Sequence, residues 1–215
     1  MKEICIPLIT YDCATTNVEI IAPMMDTLPK HFLDNQPWPE MTSNCKAAFS
    51  IAHTGRTILL KYFVEEDVIK ITKFHTNDQV HKDNCVEFFI AFTPEQKYYN
   101  IEINCAGICL IAYGEGRSKR KMLSENKINK IQKMILIKSS SAAVTANFEW
   151  QITLMIPIEV FEFSDLQSLK DKEAVGNFYK CGDDLPEPHF LTWNKMHAET
   201  PDFHLPQFFG ELHFG

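Results

Sequence analysis

Two carboxylates, Glu87 and Glu102, stand on neighbouring apolar segments of this chain, with the amides Asn100 and Asn104 beside the second and His81 just ahead of the first. Two guanidinium groups, Arg117 and Arg120, follow in Tyr113-Gly-Glu-Gly-Arg117-Ser-Lys-Arg120. A flat ring, Trp193, sits in His189-Phe190-Leu191-Thr192-Trp193-Asn194. Carboxylates accept hydrogen bonds, amides do both, arginine donates in a fixed fork, and an aromatic face offers a rigid apolar plane. Together these groups suit a ligand that is polar at its edges and apolar on its faces, as a sugar ring is. The same two carboxylates could instead act as acid and base, or acid and nucleophile, on a glycosidic bond, depending on their separation. A tryptophan at a strand end, ahead of the Pro-rich segment 201–212, is placed either as a binding platform or as a ring that closes the core.

The elements that must position these groups read as short strands. Ala47 to Ile51, Thr57 to Val64 and Val68 to Phe74 are β-branched or aromatic and are separated by turn residues. Cys85 to Ala91, Tyr98 to Asn104, Ile108 to Tyr113, Phe148 to Ile156, Glu173 to Lys180, His189 to Trp193 and Glu211 to Phe214 complete the set. Thr93-Pro94, Ala106-Gly107, Gly114-Glu115-Gly116 and Pro186 to Pro188 punctuate them. Only Glu125 to Lys133, readable as a helix or as a polar loop, and Pro157 to Phe161, one turn after a strand, suggest helix. About ten short strands without long helices between them predict an all-β fold, an antiparallel β-sandwich with minor helix, over one domain of residues 1–215. Alternation places Val86, Phe88 and Ile90 on one face of their strand and Glu87 and Phe89 on the other. On the next strand Ile101 and Ile103 oppose Asn100, Glu102 and Asn104. The apolar set, with Ile152 and Leu154, is the expected core. The polar set lines an outer face, and a hairpin brings Glu87 near Asn100, Glu102 or Asn104.

Composition narrows the classes. The chain has 215 residues, 45% of them hydrophobic, with 16 Phe and a formal net charge of −7. It is long enough for a substantial core. The negative balance argues against broad electrostatic binding of nucleic acid or anionic membrane. No apolar run approaches the ~20 residues of a membrane helix. Met1 to Thr10 does not read as a signal peptide. The compartment therefore stays open: extracellular or periplasmic if a leader was removed, cytoplasmic otherwise.

Seven cysteines are an odd and sparse set for a disulfide framework, and Cys105-x-x-x-Cys109 has no second pair to make a zinc knuckle. The stretch Arg117 to Lys133 is basic and reads as a solvated loop or a contact for an acidic group. Cys181-Gly182-Asp183-Asp184 is an acidic turn that could offer oxygen ligands to Ca²⁺. His204 reads as a hydrogen-bonded structural residue, and no Ser-His-Asp spacing, P-loop or dinucleotide fingerprint is present.

Four motifs, in order, carry a family resemblance. Asp83-Asn84-Cys85-Val86-Glu87-Phe88-Phe89-Ile90 resembles a D-x-x-V-E-x-F-I strand of family 9 carbohydrate-binding modules. Tyr98-Tyr99-Asn100-Ile101-Glu102-Ile103-Asn104-x-x-Gly107 is similar to the strand that follows it in stand-alone relatives. Trp150 to Pro157 resembles a late W-x-x-x-x-x-I-P strand. Trp193, then Phe203-His204-x-Pro206-x-x-Phe209-Gly210-x-Leu212-x-Phe214, resembles the closing motif. The resemblance implies a sandwich of the DOMON-like superfamily and non-catalytic binding of a terminal sugar or short oligosaccharide, in carbohydrate catabolism and beside glycoside hydrolases. It places Trp193 at a clamp ring and Glu87 at the acidic ligand. Calcium is a habit of the family, and haem binding occurs in the superfamily. The chain departs from the pattern twice: Val80-His81 stands where an earlier clamp Trp falls, and the expected Arg falls near Glu102. Arg117 or Arg120 could supply that cation from its loop.

Overall fold

The structure, a computed structural model, describes residues 1–10, 17–92, 97–140 and 147–215. Its strands are β1 (Glu3–Ile6), β2 (His31–Phe32), β3 (Lys46–His53), β4 (Thr57–Glu66), β5 (Cys85–Ala91), β6 (Tyr98–Asn104), β7 (Cys109–Gly114), β8 (Lys121–Met122), β9 (Gln132–Ser140), β10 (Asn147–Pro157), β11 (Glu173–Cys181), β12 (Phe190–Thr192) and β13 (Gly210–Phe214). Two helices accompany them, α1 (Val18–Met25) and α2 (Glu125–Ile128). One sheet runs β1-β13-β11-β5-β6-β7-β8, with β12 also on β11, and the other runs β2-β3-β4-β10-β9. All these strand pairs are antiparallel except β1 with β13. The fold is the expected β-sandwich.

Between the sheets, side-chain parity decides the core. Val86, Phe88, Ile90, Ile101, Ile103, Ile152 and Leu154 are each no more than 1% exposed. Phe49 of β3 stacks on Phe178 of β11 at 3.7 Å between ring centroids, and Phe178 stacks on Phe88 of β5 at 4.6 Å. Trp193 closes one side of this stack. Its ring meets Phe49 and Phe178 edge-on and lies against Gly210, where a Cβ would come within 2.5 Å of it. A glycine is required there by the close approach of the indole.

The short strands β1, β2 and β8 were not marked by the sequence, and three further segments depart from its reading, each for a physical reason. Val68 to Phe74 is not a strand. Its backbone is claimed by side chains: Asp83 accepts from the amides of Thr72 and Lys73, and Asn84 accepts from Lys70 N and donates to Val68 O. Gln132–Ser140 is a strand on the edge of the second sheet, where the sequence suggested helix to Lys133. Helix α1 was not expected. Asn17 caps it by accepting from Glu19 N and Ile20 N, and its Ile21 and Met25 cover Ala52, Leu59 and Met155 on the outer face of that sheet. The Thr93-Pro94 turn lies outside the described residues.

One charge pair ties the sheets from inside. Lys180 of β11 is fully buried and holds Glu66, at the end of β4, at 2.9 Å. Its Nζ also donates to Cys181 O and to His189 Nε2, both at 3.0 Å, while Trp150 Nε1 donates to the other Glu66 oxygen. Burial and the Lys180 charge push His189 down to about 4, so it is neutral and can accept. A buried pair is costly to break singly and far less costly to replace whole. Lys180→Met should therefore destabilise the fold by about 3–5 kcal/mol in denaturant titrations, and Lys180→Met with Glu66→Gln should recover part of that loss.

Candidate functional site

The outer face of the eight-stranded sheet holds a cavity of about 410 Å³. Its floor comes from alternation. Glu87 lies opposite Glu102 in the β5–β6 register and opposite Tyr179 in the β5–β11 register. Asn100 stands two residues before Glu102, on the same face. Glu87, Asn100 and Glu102 are 4%, 2% and 5% exposed, so this outer face is covered at its centre. The cover has two parts. The loop 67–84 brings His81 to the rim, and the C-terminal segment brings Phe190, Pro201, Asp202, Phe203 and His204.

The polar groups form a connected chain. Arg120 Nε donates to Asn100 Oδ1 at 2.8 Å, Asn100 Nδ2 donates to Glu102 Oε1 at 2.7 Å, and Glu102 Oε2 meets His81 Nδ1 at 3.3 Å. Arg120 also donates to the carbonyls of Gly116 and Tyr98 and lies over the Tyr98 ring at 4.3 Å. Its guanidinium is thus braced against the sheet. Arg117 is exposed at the mouth, with one long hydrogen bond, 3.4 Å, to Pro201 O. Glu87 accepts from Cys181 Sγ at 3.2 Å. Burial, and then the charge of Glu102 beside it, raise its carboxyl well above the usual carboxylate range. His204 bonds Tyr98 Oη at 2.9 Å, and burial with Arg120 and Arg117 nearby holds it down at about 3. Burial raises Asp183, which also faces the cavity.

Six of the residues singled out from the sequence meet here: Glu87, His81, Asn100, Glu102, Arg117 and Arg120. Two do not. Asn104 shares the parity of Glu102, but its amide donates to Asp83 Oδ2 and Lys73 O and accepts from Ala106 N and Ile108 N. It holds the loop that carries His81 and does not reach the cavity. Trp193 is 2% exposed within the core and lines no part of the cavity, so the platform reading of this ring gives way to the core reading. The aromatic surface in the cavity is Phe203, which stacks on Tyr179 at 4.1 Å, with Phe190. Phe203 lay in the closing motif and Asp202 just ahead of it, but no spacing marked them as cavity residues. The basic stretch also separates: Arg117 and Arg120 enter the site, while Lys127 pairs with Glu162 and Lys133 donates to Gly107 O.

The two carboxylates of the acidic turn diverge: Asp184 pairs with Lys82 at 3.7 Å while Asp183 turns to the cavity, and neither joins a group of three converging ligating side chains among the described residues. The six described cysteines are free thiols.

A β-sandwich with a polar, charged cavity on one sheet face has the geometry of a small-ligand-binding module. The sequence profile of carbohydrate-binding family 9 matches residues 19–214. The chain belongs to that family, whose members are non-catalytic carbohydrate-binding modules. A solved protein of Bacteroides uniformis, described as a candidate carbohydrate-binding protein, is 34% identical over 100% of this chain and 99% of its own, with a TM-score of 0.90. Two structures of a family 9 module from Caldicellulosiruptor kristjanssonii share the fold. The cellotriose complex is 12% identical, with a TM-score of 0.55 over 99% of this chain and 93% of that one. The glucose complex is 11% identical, with a TM-score of 0.53 over 100% and 96%. No protein of curated function matches the sequence.

Two predictions follow from this geometry. Trp193→Ala should lower unfolding stability by about 3–5 kcal/mol in a denaturant titration, as expected of a deleted core ring. For His81, burial alone lowers the imidazole, but the hydrogen bond and charge of Glu102 outweigh it and leave the group raised above 6.5. The ion pair is therefore fully present below 6.5 and is lost as pH rises through the higher folded value. An NMR titration should show His81 above its ordinary value in the wild type and shifted downward in Glu102→Gln, where burial and the Lys82 charge are opposed only by the charge of Asp183.

Proposed function

We propose that the cavity on the eight-stranded sheet is a non-catalytic carbohydrate site for a terminal sugar or short oligosaccharide, serving carbohydrate catabolism beside glycoside hydrolases. The observation that carries this reading is the convergence of Glu87, Arg117 and His81 around one cavity in a chain of family 9. In this reading the rim and floor divide the work. Glu87 and Arg117 meet the hydroxyls of the ring, and Phe203 offers an apolar edge. Arg120 and Asn100 position Glu102 and His81 and do not themselves need to touch the sugar. A braced polar floor loses little side-chain entropy when a ligand arrives, which favours affinity.

The same arrangement supports binding over hydrolysis. Glu87 and Glu102 lie side by side on adjacent strands, and both oxygens of Glu102 already have partners in Asn100 and His81. A glycosidase needs its two carboxyl groups on either side of the scissile bond.

Isothermal titration with glucose, cellotriose and a panel of other oligosaccharides tests the proposal. A hydrogen bond contributes about 0.5–1.5 kcal/mol, and about 1.5–3 kcal/mol where a partner is charged, as the Arg117 guanidinium is. Glu87→Ala should weaken binding about 2- to 10-fold and Arg117→Ala about 10- to 100-fold, at about 1.4 kcal/mol per decade, with the thermal melt retained. Turnover of any oligosaccharide that disappears in Glu87→Gln would overturn the binding reading in favour of a hydrolase.

A further inference from the structure

We propose that Cys85, Cys181 and Glu87 form a binding site for a thiophilic divalent cation of the zinc and cadmium class, set in the floor of the cavity. This goes beyond carbohydrate binding and does not depend on it. Cys85 and Cys181 are direct partners in the β5–β11 register, and Glu87 follows Cys85 by two residues on the same face. One ligand atom from each, two Sγ and a carboxylate oxygen, lie within 4.8 Å of one another. A tetrahedral zinc ion takes Zn–S bonds of about 2.3 Å and Zn–O bonds of about 2.0–2.2 Å, so its ligand atoms lie less than about 4 Å apart. Small rotamer changes close the difference. All three side chains stand on adjacent central strands, where the backbone holds their relative positions.

The other groups of ligating side chains differ from this one. Cys45, Glu66 and His189 also converge, but the Lys180 ammonium already sits 2.9 Å from Glu66 and 3.0 Å from His189. That cluster holds its own cation. Glu3, Glu211 and His213 lie on the surface without a thiol. Beside Cys85, Cys181 and Glu87 no lysine or arginine comes within ion-pair distance of the carboxylate among the described residues. Glu87 instead takes its hydrogen bond from the Cys181 thiol.

Access and charge are consistent with a bound ion. Cys181 and Glu87 both line the cavity, which gives an entry path and leaves a fourth position for water or a ligand oxygen. On binding, each thiol, and the Glu87 carboxyl where it is protonated, releases its proton to solvent, and two thiolates with one carboxylate carry three negative charges against two positive ones. Arg117 at the cavity mouth is placed to offset the remainder. Two thiolates select zinc or cadmium over magnesium or calcium.

The test is a cadmium titration of the full chain, reduced with a phosphine, following the ultraviolet thiolate-to-cadmium band, with zinc affinity measured by chelator competition. The expected result is one ion per chain with a band of two-thiolate intensity, lost in Cys85→Ser and in Cys181→Ser and retained in Cys45→Ser. Thermal melts without metal report whether each variant is folded. If a serine variant is not folded, Glu87→Gln decides instead: it should keep the band and weaken zinc at least tenfold. A wild-type chain with no band at excess cadmium, a band unchanged in folded Cys85→Ser or Cys181→Ser or abolished in folded Cys45→Ser, or zinc affinity unchanged in Glu87→Gln would overturn the proposal. Sugar titrations of the metal-free chain are scored separately, so failure of the carbohydrate reading leaves the cadmium result standing, and the reverse.

Discussion

Both faces of the central strands β5 and β6 are buried, and that constraint governs the rest of the structure. A sheet that is covered on both sides usually carries apolar residues throughout. Here β5 and β6 place Glu87, Asn100 and Glu102 on the covered outer face. A buried carboxylate without partners is expensive, so the cover must either satisfy these groups or leave room for something that will. It does both. Asn100, itself held by Arg120, and His81 satisfy Glu102, while Glu87 keeps a single weak thiol donor and faces open space. The position left least satisfied is the one turned toward a ligand.

The cover is itself held by polar side chains. Asp83, Asn84 and Asn104 are buried, and together they hold the backbone of residues 68 to 73 and the turn after β6. That scaffold fixes the loop from which His81 reaches Glu102. The C-terminal segment is held differently, by rings. Phe203 stacks on Tyr179 and tilts against Trp38, and Phe89 packs against His204 and Phe209. One wall of the cavity thus depends on hydrogen bonds and the other on aromatic packing. On the opposite side of the sheet, Lys180 and Glu66 lock β11 to β4, so the strand that carries Tyr179 and Cys181 cannot slip without exposing or stranding a buried charge.

Much of the architecture was legible in the sequence because strand alternation has a fixed period of two. Val86, Phe88 and Ile90 on one side and Glu87 on the other could be placed from residue order alone, and the β5–β6 hairpin followed from the short connection. The loop 67–84 was misread because β-branched residues suit an extended backbone whether or not it joins a ladder. What kept Val68 to Phe74 out of a sheet was the supply of buried acceptors at Asp83 and Asn84, and that is a contact, not a propensity. Helix α1 was missed because its stability comes from packing Ile21 and Met25 on a distant sheet rather than from its short, Pro-containing sequence.

The sequence by itself determined the sandwich, the apolar faces of its strands, the shared parity of Glu87, Asn100 and Glu102, and the motifs that mark family 9. Those properties depend on neighbours in the chain or on residue type. Only the tertiary structure decided which side of Trp193 mattered, because an indole at a strand end serves a core and a binding face equally well until Gly210, Phe49 and Phe178 close around it. It alone separated Asn104 from Asn100, since parity fixes a face but not what covers it. It alone brought Arg120, Phe203 and Cys181 to one cavity, because contacts between residues far apart in sequence are set by sheet order and loop path, and residue spacing encodes neither.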